Sequence, residues 1–163
     1  MIKVLLITNP KSGILRYKDS LNIVISELKK YDIEYTLNKT EYAAHAVELV
    51  KQTDLKQYDS VCAMGGDGTL FEVLNGMLNR SENERIPISI IPNGTGNSFM
   101  KTVGIENVVD AVGKISKNEP KNLDMMRVVC GENIYYSLLI KKIVLVYLDS
   151  STPPKKNESS IER

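Results

Sequence analysis

Ser60-Val-Cys-Ala-Met-Gly-Gly-Asp-Gly-Thr-Leu-Phe-Glu-Val-Leu-Asn-Gly76 passes directly from a strand pattern to a helix pattern. Ser60–Met64 is a short, mostly apolar run closed by Gly65-Gly66, which is typical of a buried strand. An apolar helix face follows it, formed by Leu70, Val73, Leu74, Met77 and Leu78. A strand, a glycine turn and a helix in this order predict one unit of a parallel α/β sheet.

The same alternation continues on both sides of this unit. Further strand patterns are Ile2–Thr8, Ile33–Asn38 and Ile86–Ile91. One helix pattern is formed by Leu21, Val24, Ile25 and Leu28. A second is formed by Ala43, Val47 and Val50, with Thr40 as its expected cap, and a third spans Asn107–Ser116. Strands separated by helices of this length predict an α/β fold, a Rossmann-like parallel sheet with helices on both faces.

The pattern changes after residue 120. Leu123–Val129 and Asn133–Ile140 flank Gly131-Glu132, which predicts two strands joined by a tight turn. Residues 141–163 begin with an apolar run and end in a Ser-, Pro-, Lys- and Glu-rich segment. We therefore assign residues 1–140 to one domain and residues 141–163 to a strand with a disordered polar tail.

Composition excludes several classes of function. The formal net charge is +1 and Trp is absent, so neither a basic field nor aromatic platforms for nucleic acid are present. His45 is the only histidine, and Cys62 and Cys130 form no CxxC pair, so a zinc site is not expected. The first apolar run is too short for a signal peptide, and no run approaches the roughly 20 apolar residues of a membrane span. We expect a cytoplasmic protein without a transmembrane segment.

Glycine-bearing loops follow the predicted strands at Asn9–Gly13, Gly65–Thr69 and Pro92–Asn97. Because the carboxyl ends of parallel strands share one edge of a sheet, these loops are expected to surround one crevice. Glycine allows close backbone approach, and a helix N-terminus adds partial positive charge, so the crevice suits phosphate. No GxxxxGK[ST] string is present, and each loop taken alone is also compatible with an ordinary tight turn.

Asp67 stands between glycines in the middle loop. A carboxylate beside phosphates needs Mg²⁺ or a proton-transfer role, and a helix N-cap is the structural alternative. Glu72 and Asn75 share a helix face and are expected to reach the nucleotide or a metal through water, with a solvated polar face as the alternative. Lys11 is either a phosphate contact or a solvated loop lysine.

With these residues the sequence resembles the catalytic domain of the diacylglycerol kinase family, which includes sphingosine and ceramide kinases. The matching strings are Asn9-Pro-Lys-Ser-Gly13, Gly65–Gly76 and Pro92-Asn-Gly-Thr-Gly-Asn97. The resemblance implies ATP and Mg²⁺ as cofactors and transfer of phosphate to a lipid hydroxyl, such as that of diacylglycerol or a sphingoid base. It also implies peripheral association with a membrane surface and no nucleic-acid partner. The family's second, mostly β domain is expected to be largely absent.

The resemblance also implies the site residues. Asp67 is expected to be the catalytic base, and Asp67 and Asp124 are expected to contact a metal. The expected nucleotide site consists of Asn9, Pro10, Lys11, Ser12, Gly13, Thr40, Gly65, Gly66, Asp67, Gly68, Thr69, Glu72, Asn75, Gly94, Thr95, Gly96 and Asn97. Two alternatives stay open. One is a non-catalytic nucleotide-binding module, because the family's second domain is expected to be largely absent. The other is an enzyme similar to NAD kinase or a sugar kinase, because the GGDGT string also resembles those of NAD kinase and phosphofructokinase.

Overall fold

The computed structural model describes residues 1–13, 17–93, 99–100, 103–131, 133–140, 143–144 and 161–162. The chain divides into two compact units, Met1–Pro120 and Lys121–Arg163. The elements of the first unit are β1 (Lys3–Thr8), α1 (Tyr17–Lys30), β2 (Glu34–Lys39), α2 (His45–Gln52), β3 (Ser60–Gly65), α3 (Asp67–Leu78), β4 (Ile88–Pro92) and α4 (Val108–Lys117).

The four strands of the first unit form one parallel sheet in the order β2-β1-β3-β4. The chain runs outward from β1 to β2, and then returns across β1 to β3 and β4. Since such crossovers are right-handed, the reversal places α1 on one face of the sheet and α2 and α3 on the other. The contacts agree, because α1 packs with α4 whereas α2 packs with α3.

Side-chain alternation along β1 shows that both faces are covered. Val4 and Leu6 are fully buried in a core that contains Leu21 and Val24 of α1 and Val112 of α4. Leu5 and Ile7, which point to the opposite face, are also fully buried. A strand that is apolar at consecutive positions is the expected sequence for such a doubly covered sheet. The predicted fold class, a parallel sheet with helices on both faces, is confirmed.

Most of the predicted helix faces are confirmed. Leu21, Val24 and Leu28 are buried in α1, and Ile25 is partly buried against the core. The buried residues of α3 include Leu70, Val73, Leu74 and Met77. Asn107 caps α4, because its side chain accepts a hydrogen bond from the Asp110 N–H.

The predicted start of the second helix is wrong. α2 begins at His45, so Thr40 is not its cap and Ala43 lies before it. The backbone N–H of Thr40 instead donates to the Thr8 carbonyl at 2.8 Å, which continues the β1–β2 pairing. Ala44 takes a left-handed conformation immediately before the helix.

The second unit is built around an antiparallel hairpin. β5 (Met125–Cys130) pairs with β6 (Asn133–Ile140), and these are the two strands that the sequence predicts on either side of Gly131-Glu132. Two short strands extend this sheet, β7 (Ile143–Val144) beside β6 and β8 (Ile161–Glu162) beside β5. β8 falls within the segment expected to be a disordered tail, and most of that tail lies outside the described residues. The assignment of residues 1–140 to one catalytic domain stays a prediction.

Within the described part of the chain, no helix has the length and apolar character needed to cross a bilayer.

Close packing of α2 on α3 gives a first prediction. A Cβ at Gly76 would lie 2.9 Å from Val50 Cβ and 3.0 Å from the Val47 carbonyl oxygen, so Gly76→Ala must push the helices apart. We expect a loss of about 1–3 kcal/mol in the free energy of unfolding. Gly113→Ala in α4 is the control, because its Cβ would meet only Tyr31 Oη at 3.6 Å. Urea denaturation should show the control unchanged or stabilised; equal losses for both variants would contradict the packing.

The two cysteines give a second prediction. Cys62 is fully buried, and burial raises the pKa of its thiol to about 12, whereas Cys130 is exposed. Because the thiolate is the reactive form, a disulfide reagent at pH 8 should label one thiol per native chain and two after denaturation. Cys130→Ser should abolish the native labelling. Rapid labelling of Cys62 in that folded variant would show that β3 is not in the core.

Candidate active site at the carboxyl edge of the sheet

The connections after β1 and β3 leave adjacent strands toward opposite faces of the sheet. This divergence opens a crevice at the carboxyl ends of the two strands, where α/β proteins of this type bind their ligands. Asn9–Gly13 follows β1 directly, and Gly66 with the first turn of α3 follows β3. Two of the three predicted glycine loops therefore border the same crevice.

The loop after β1 is a compact turn fixed to the neighbouring strand. The Asn9 N–H donates to the Met64 carbonyl of β3 at 3.2 Å. The Asn9 Oδ1 accepts a hydrogen bond from the Lys11 N–H at 2.9 Å, and the Ser12 N–H donates to the Asn9 carbonyl at 3.0 Å. Asn9 is thus the residue that shapes this turn, while Pro10 is half-buried and Lys11 is exposed.

Asn93, which begins the third loop, connects all three segments. Its N–H donates to the Gly65 carbonyl at 3.0 Å, and its Nδ2 donates to the Ser12 carbonyl at 3.0 Å. The Ser12 hydroxyl donates in return to the Asn93 carbonyl at 3.2 Å. Asn93 is buried and Ser12 is half-buried, so these bonds are partly shielded from water. The other predicted residues of this loop, Gly94, Thr95, Gly96 and Asn97, lie outside the described residues.

Gly13 is required at the end of the first loop for two reasons. Its φ of +64° is a left-handed conformation that favours glycine, and a Cβ there would lie 2.4 Å from the Asn93 carbonyl oxygen. The first and third loops therefore touch at a point where only a hydrogen atom fits.

The first turn of α3 presents backbone donors at the same edge. Gly66 is the N-cap, and the helical hydrogen bonds begin with the Leu70 N–H donating to the Gly66 carbonyl at 3.2 Å. The N–H groups of Gly68 and Thr69 precede this bond and have no acceptor within the helix. Gly68 is exposed, and the space where its Cβ would lie is open. A helix start of this kind can bind an anion.

Gly65 and Thr69 fix the direction in which α3 leaves the sheet. Thr69 is buried, and a Cβ on Gly65 would lie 2.3 Å from the Thr69 hydroxyl oxygen. The helix can therefore begin this close to β3 only because residue 65 is glycine.

Asp67 is the first residue of α3, and the N-cap is Gly66. The N-cap alternative for Asp67 is therefore wrong, because the helix begins at Asp67 itself, one residue earlier than a capping Asp67 would require. Asp67 is half-buried, and its Oδ1 atom is shielded from solvent. A carboxylate in the first turn is favourably placed with respect to the helix dipole. Its predicted catalytic role stays a prediction.

Thr40 lies at the same edge of the sheet. It is buried, and its bond to the Thr8 carbonyl places it beside the start of the Asn9–Gly13 loop. The Thr8 hydroxyl is within 2.9 Å of the Tyr17 hydroxyl, which joins the end of β1 to the start of α1.

Glu72 and Asn75 form contacts that the sequence did not indicate. The Glu72 carboxylate accepts hydrogen bonds from the N–H groups of Ala44, at 3.1 Å, and Ala46, at 3.2 Å. The Asn75 Nδ2 donates to the Phe71 carbonyl within α3 at 2.8 Å. Glu72 is therefore engaged with the start of α2, and a role of either residue toward nucleotide or metal stays a prediction.

Asp124 belongs to the second unit, where it is exposed just before β5, and its expected metal contact stays a prediction. Across the parts of the chain that the structure describes, no three His, Cys, Asp or Glu side chains form a group able to hold a metal ion. The described residues therefore contain no metal site formed by three or more such side chains.

Asn93 lies in the predicted Pro92–Asn97 loop but is not among the site residues expected from the sequence. Its position after a strand and before Gly94 indicates a turn. Nothing local to residue 93 indicates that its side chain bonds a carbonyl 81 positions away.

The Asn93 bridge gives a third prediction. Asn93→Asp replaces the Nδ2 donor with an acceptor facing the Ser12 carbonyl, so we expect a loss of about 1–3 kcal/mol in the free energy of unfolding. Asn79→Asp is the control, because Asn79 also donates to a carbonyl, at 2.8 Å, but is exposed, so water can replace the bond. Chemical denaturation compares the two, and equal losses would refute a special role for Asn93.

Comparisons with known proteins agree with this architecture. Residues 3–128 match the family model of the diacylglycerol kinase catalytic domain. The chain is 31% identical to sphingosine kinase 2 of Arabidopsis thaliana over 150 residues, which cover 85% of this chain and 31% of that protein. It is 30% identical to diacylglycerol kinase of Bacillus subtilis (strain 168) over 130 residues, which cover 78% of this chain and 42% of that protein.

A crystal structure of a diacylglycerol kinase from Bacillus anthracis str. Sterne superposes with a TM-score of 0.69 and 31% identity. The superposition covers 77% of this chain and 43% of that chain. The chain thus spans less than half of each of these relatives. The match nevertheless includes the whole four-stranded sheet and all three segments joined by Asn93, and it establishes that this chain belongs to the diacylglycerol kinase catalytic domain family.

Proposed function

We propose that the chain is the nucleotide-binding part of an ATP-dependent lipid kinase that transfers the ATP γ-phosphate to a lipid hydroxyl. One observation carries the proposal: hydrogen bonds through Asn93 join the turn after β1 to the end of β3, from which α3 begins. Backbone donors at the start of α3, bordered by the turn after β1, suit a polyphosphate better than a neutral ligand.

The phosphates of ATP bind over Gly66, Gly68 and Thr69 in this proposal. The N–H groups at the start of α3 point along the helix axis, and the open space at Gly68 admits a phosphate oxygen. Asn9–Gly13 and Thr40 line the other side, and Gly94, Thr95, Gly96 and Asn97 complete the site.

Asp67 is the proposed general base. The lipid hydroxyl oxygen forms a bond to the γ-phosphorus, and the bond from that phosphorus to the β,γ-bridging oxygen breaks. ADP leaves with the electron pair, and the Asp67 carboxylate takes the hydroxyl proton. Catalysis of this type depends mainly on positioning and on charge stabilisation.

Asp67 also fits a magnesium ion that is shared with the phosphates. Mg²⁺ in kinases is commonly held by one or two carboxylates and by phosphate oxygens, and it supplies charge neutralisation when bound.

The proposed acceptor is the hydroxyl group of a lipid such as diacylglycerol or a sphingoid base, because relatives are named sphingosine kinase and diacylglycerol kinase. A cytoplasmic enzyme with such a substrate must associate with the membrane surface. The competing proposal is a nucleotide-binding module without catalysis.

Incubation of the purified chain with γ-labelled ATP, Mg²⁺ and vesicles containing sphingosine or diacylglycerol separates these proposals. Labelled lipid supports the kinase, and ATP binding without labelled lipid supports the module. A labelled soluble product formed from NAD or a sugar, without labelled lipid, would favour the enzyme similar to NAD kinase or a sugar kinase.

Substitution of the proposed base gives a fourth prediction. Asp67→Asn keeps the shape of the side chain but cannot accept the proton, so transfer should fall by about 10²–10⁴-fold while ATP affinity changes little. Asp110→Asn is the control, because Asp110 is a carboxylate in the first turn of α4, where it pairs with Lys114. Unchanged transfer by Asp67→Asn would remove Asp67 from the mechanism.

A further inference from the structure

A buried pair of hydroxyl groups joins the end of β1 to the start of α1. The Thr8 and Tyr17 hydroxyl oxygens lie 2.9 Å apart and share a hydrogen bond. Thr8 is the last residue of β1, and Tyr17 is the first residue of α1. Both residues are buried, and Thr8 has no exposed surface. The bond therefore lies beneath the surface, directly behind the point where the Asn9–Gly13 turn begins.

Side-chain alternation along β1 explains how the pair forms. Val4, Leu6 and Thr8 point to the same face of the sheet. Val4 and Leu6 share a core with the Tyr17 ring, so the Tyr17 hydroxyl meets the polar side chain at the end of an apolar row. Apolar packing is non-directional, whereas a hydrogen bond depends steeply on distance and angle. The hydroxyl pair thus fixes α1 along β1 more sharply than packing of the ring alone.

The backbone around Thr8 contacts the segments that line the proposed phosphate site. The Thr8 carbonyl accepts a hydrogen bond from the Thr40 N–H at 2.8 Å. The N–H of the next residue, Asn9, donates to the Met64 carbonyl of β3 at 3.2 Å, and Asn9 shapes the turn that follows. A shift of Thr8 would therefore move both the turn and Thr40 relative to the start of α3.

We propose that Tyr17 is a positioning residue for nucleotide binding, which acts through the Thr8 hydroxyl to fix the end of β1 and the turn that follows it. The inference rests on the proposed function, because the positioned ligand is the nucleotide. Direct contact between the Thr8 hydroxyl and a phosphate is disfavoured, because Thr8 is fully buried.

A second tyrosine–threonine pair in the same sheet supplies a matched control. The Tyr58 hydroxyl donates to the Thr36 hydroxyl oxygen at 3.0 Å. Tyr58 lies just before β3, at the amino edge of the sheet, and Thr36 lies within β2. Tyr58→Phe therefore makes the same chemical change as Tyr17→Phe, but away from the edge that carries the proposed site.

The Kd of each folded variant for Mg²⁺–ATP, measured by calorimetry, tests the inference. Tyr17→Phe keeps the ring but removes the hydroxyl, so the Kd should rise by about three- to tenfold. Tyr58→Phe should leave the Kd unchanged. Equal Kd values for the two variants, whether both are unchanged or both raised, would overturn the inference.

Tyr17→Phe combined with Thr8→Val separates positioning from a loss of stability. Tyr17→Phe alone leaves the Thr8 hydroxyl buried without a partner and should lower the unfolding midpoint, whereas removal of both hydroxyls leaves no unpaired group. The double variant should therefore recover much of the midpoint and keep the raised Kd, because the directional bond is still missing. Recovery of the midpoint and the Kd together would show that affinity follows stability alone, and it would overturn the inference.

The outcomes also separate the inference from the proposed function. Failure of the unsubstituted chain to bind Mg²⁺–ATP would overturn the proposed function, and the inference with it. The variant results above, obtained with an unsubstituted chain that binds Mg²⁺–ATP, overturn the inference alone.

NMR of the unsubstituted chain with ¹³Cζ-labelled tyrosine does not depend on the folding of a variant. In mixed H₂O and D₂O, a slowly exchanging hydroxyl gives separate Cζ signals for its protonated and deuterated forms. Positioning predicts separate signals for Tyr17 both without and with Mg²⁺–ATP. A single averaged signal in the nucleotide-bound chain would show that the pair opens when the site is occupied, and that result would overturn the inference.

Discussion

The hydrogen bonds of Asn93 are the constraint on which the site depends. Its backbone N–H is bound to the end of β3, and its side chain is bound to the turn after β1. The two segments belong to different crossovers and leave the sheet toward opposite faces. The Asn9 N–H bond to the Met64 carbonyl joins them at the strand ends, and Asn93 adds contacts to the end of the turn at Ser12. Because Asn93 is buried and its bonds to Ser12 are partly buried, water competes for them less than it does for bonds at the surface.

The other site residues follow from this contact and from the strand order. Gly13 must be glycine because it touches the Asn93 carbonyl, and Gly65 must be glycine because Thr69 packs on it. The strand order β2-β1-β3-β4 places the resulting crevice between β1 and β3. The site thus results from the strand order and from two positions, Gly13 and Gly65, where neighbouring segments approach so closely that only glycine fits.

Local signals in the sequence predicted the fold and the edge of the sheet that carries the site. Consecutive apolar residues in β1 indicated a strand covered on both faces, and the spacing of Leu70, Val73, Leu74 and Met77 predicted α3. Contacts between distant segments could not be predicted in this way. Glu72 reaches Ala44 over 28 positions, and no local period reports such a contact. Thr40 was mistaken for a cap because capping preference is a local property, whereas its bond to Thr8 is set by sheet pairing.

The most direct test of the account is an NMR titration of the uniformly ¹⁵N-labelled chain with Mg²⁺–ATP. The account predicts that the largest amide shifts fall together in Asn9–Gly13, Thr40 and Gly66–Thr69, with small shifts in α4 and at the amino ends of the strands. Shifts concentrated at the amino ends, or in only one of the three segments, would contradict the claim that these loops form a single phosphate-binding site.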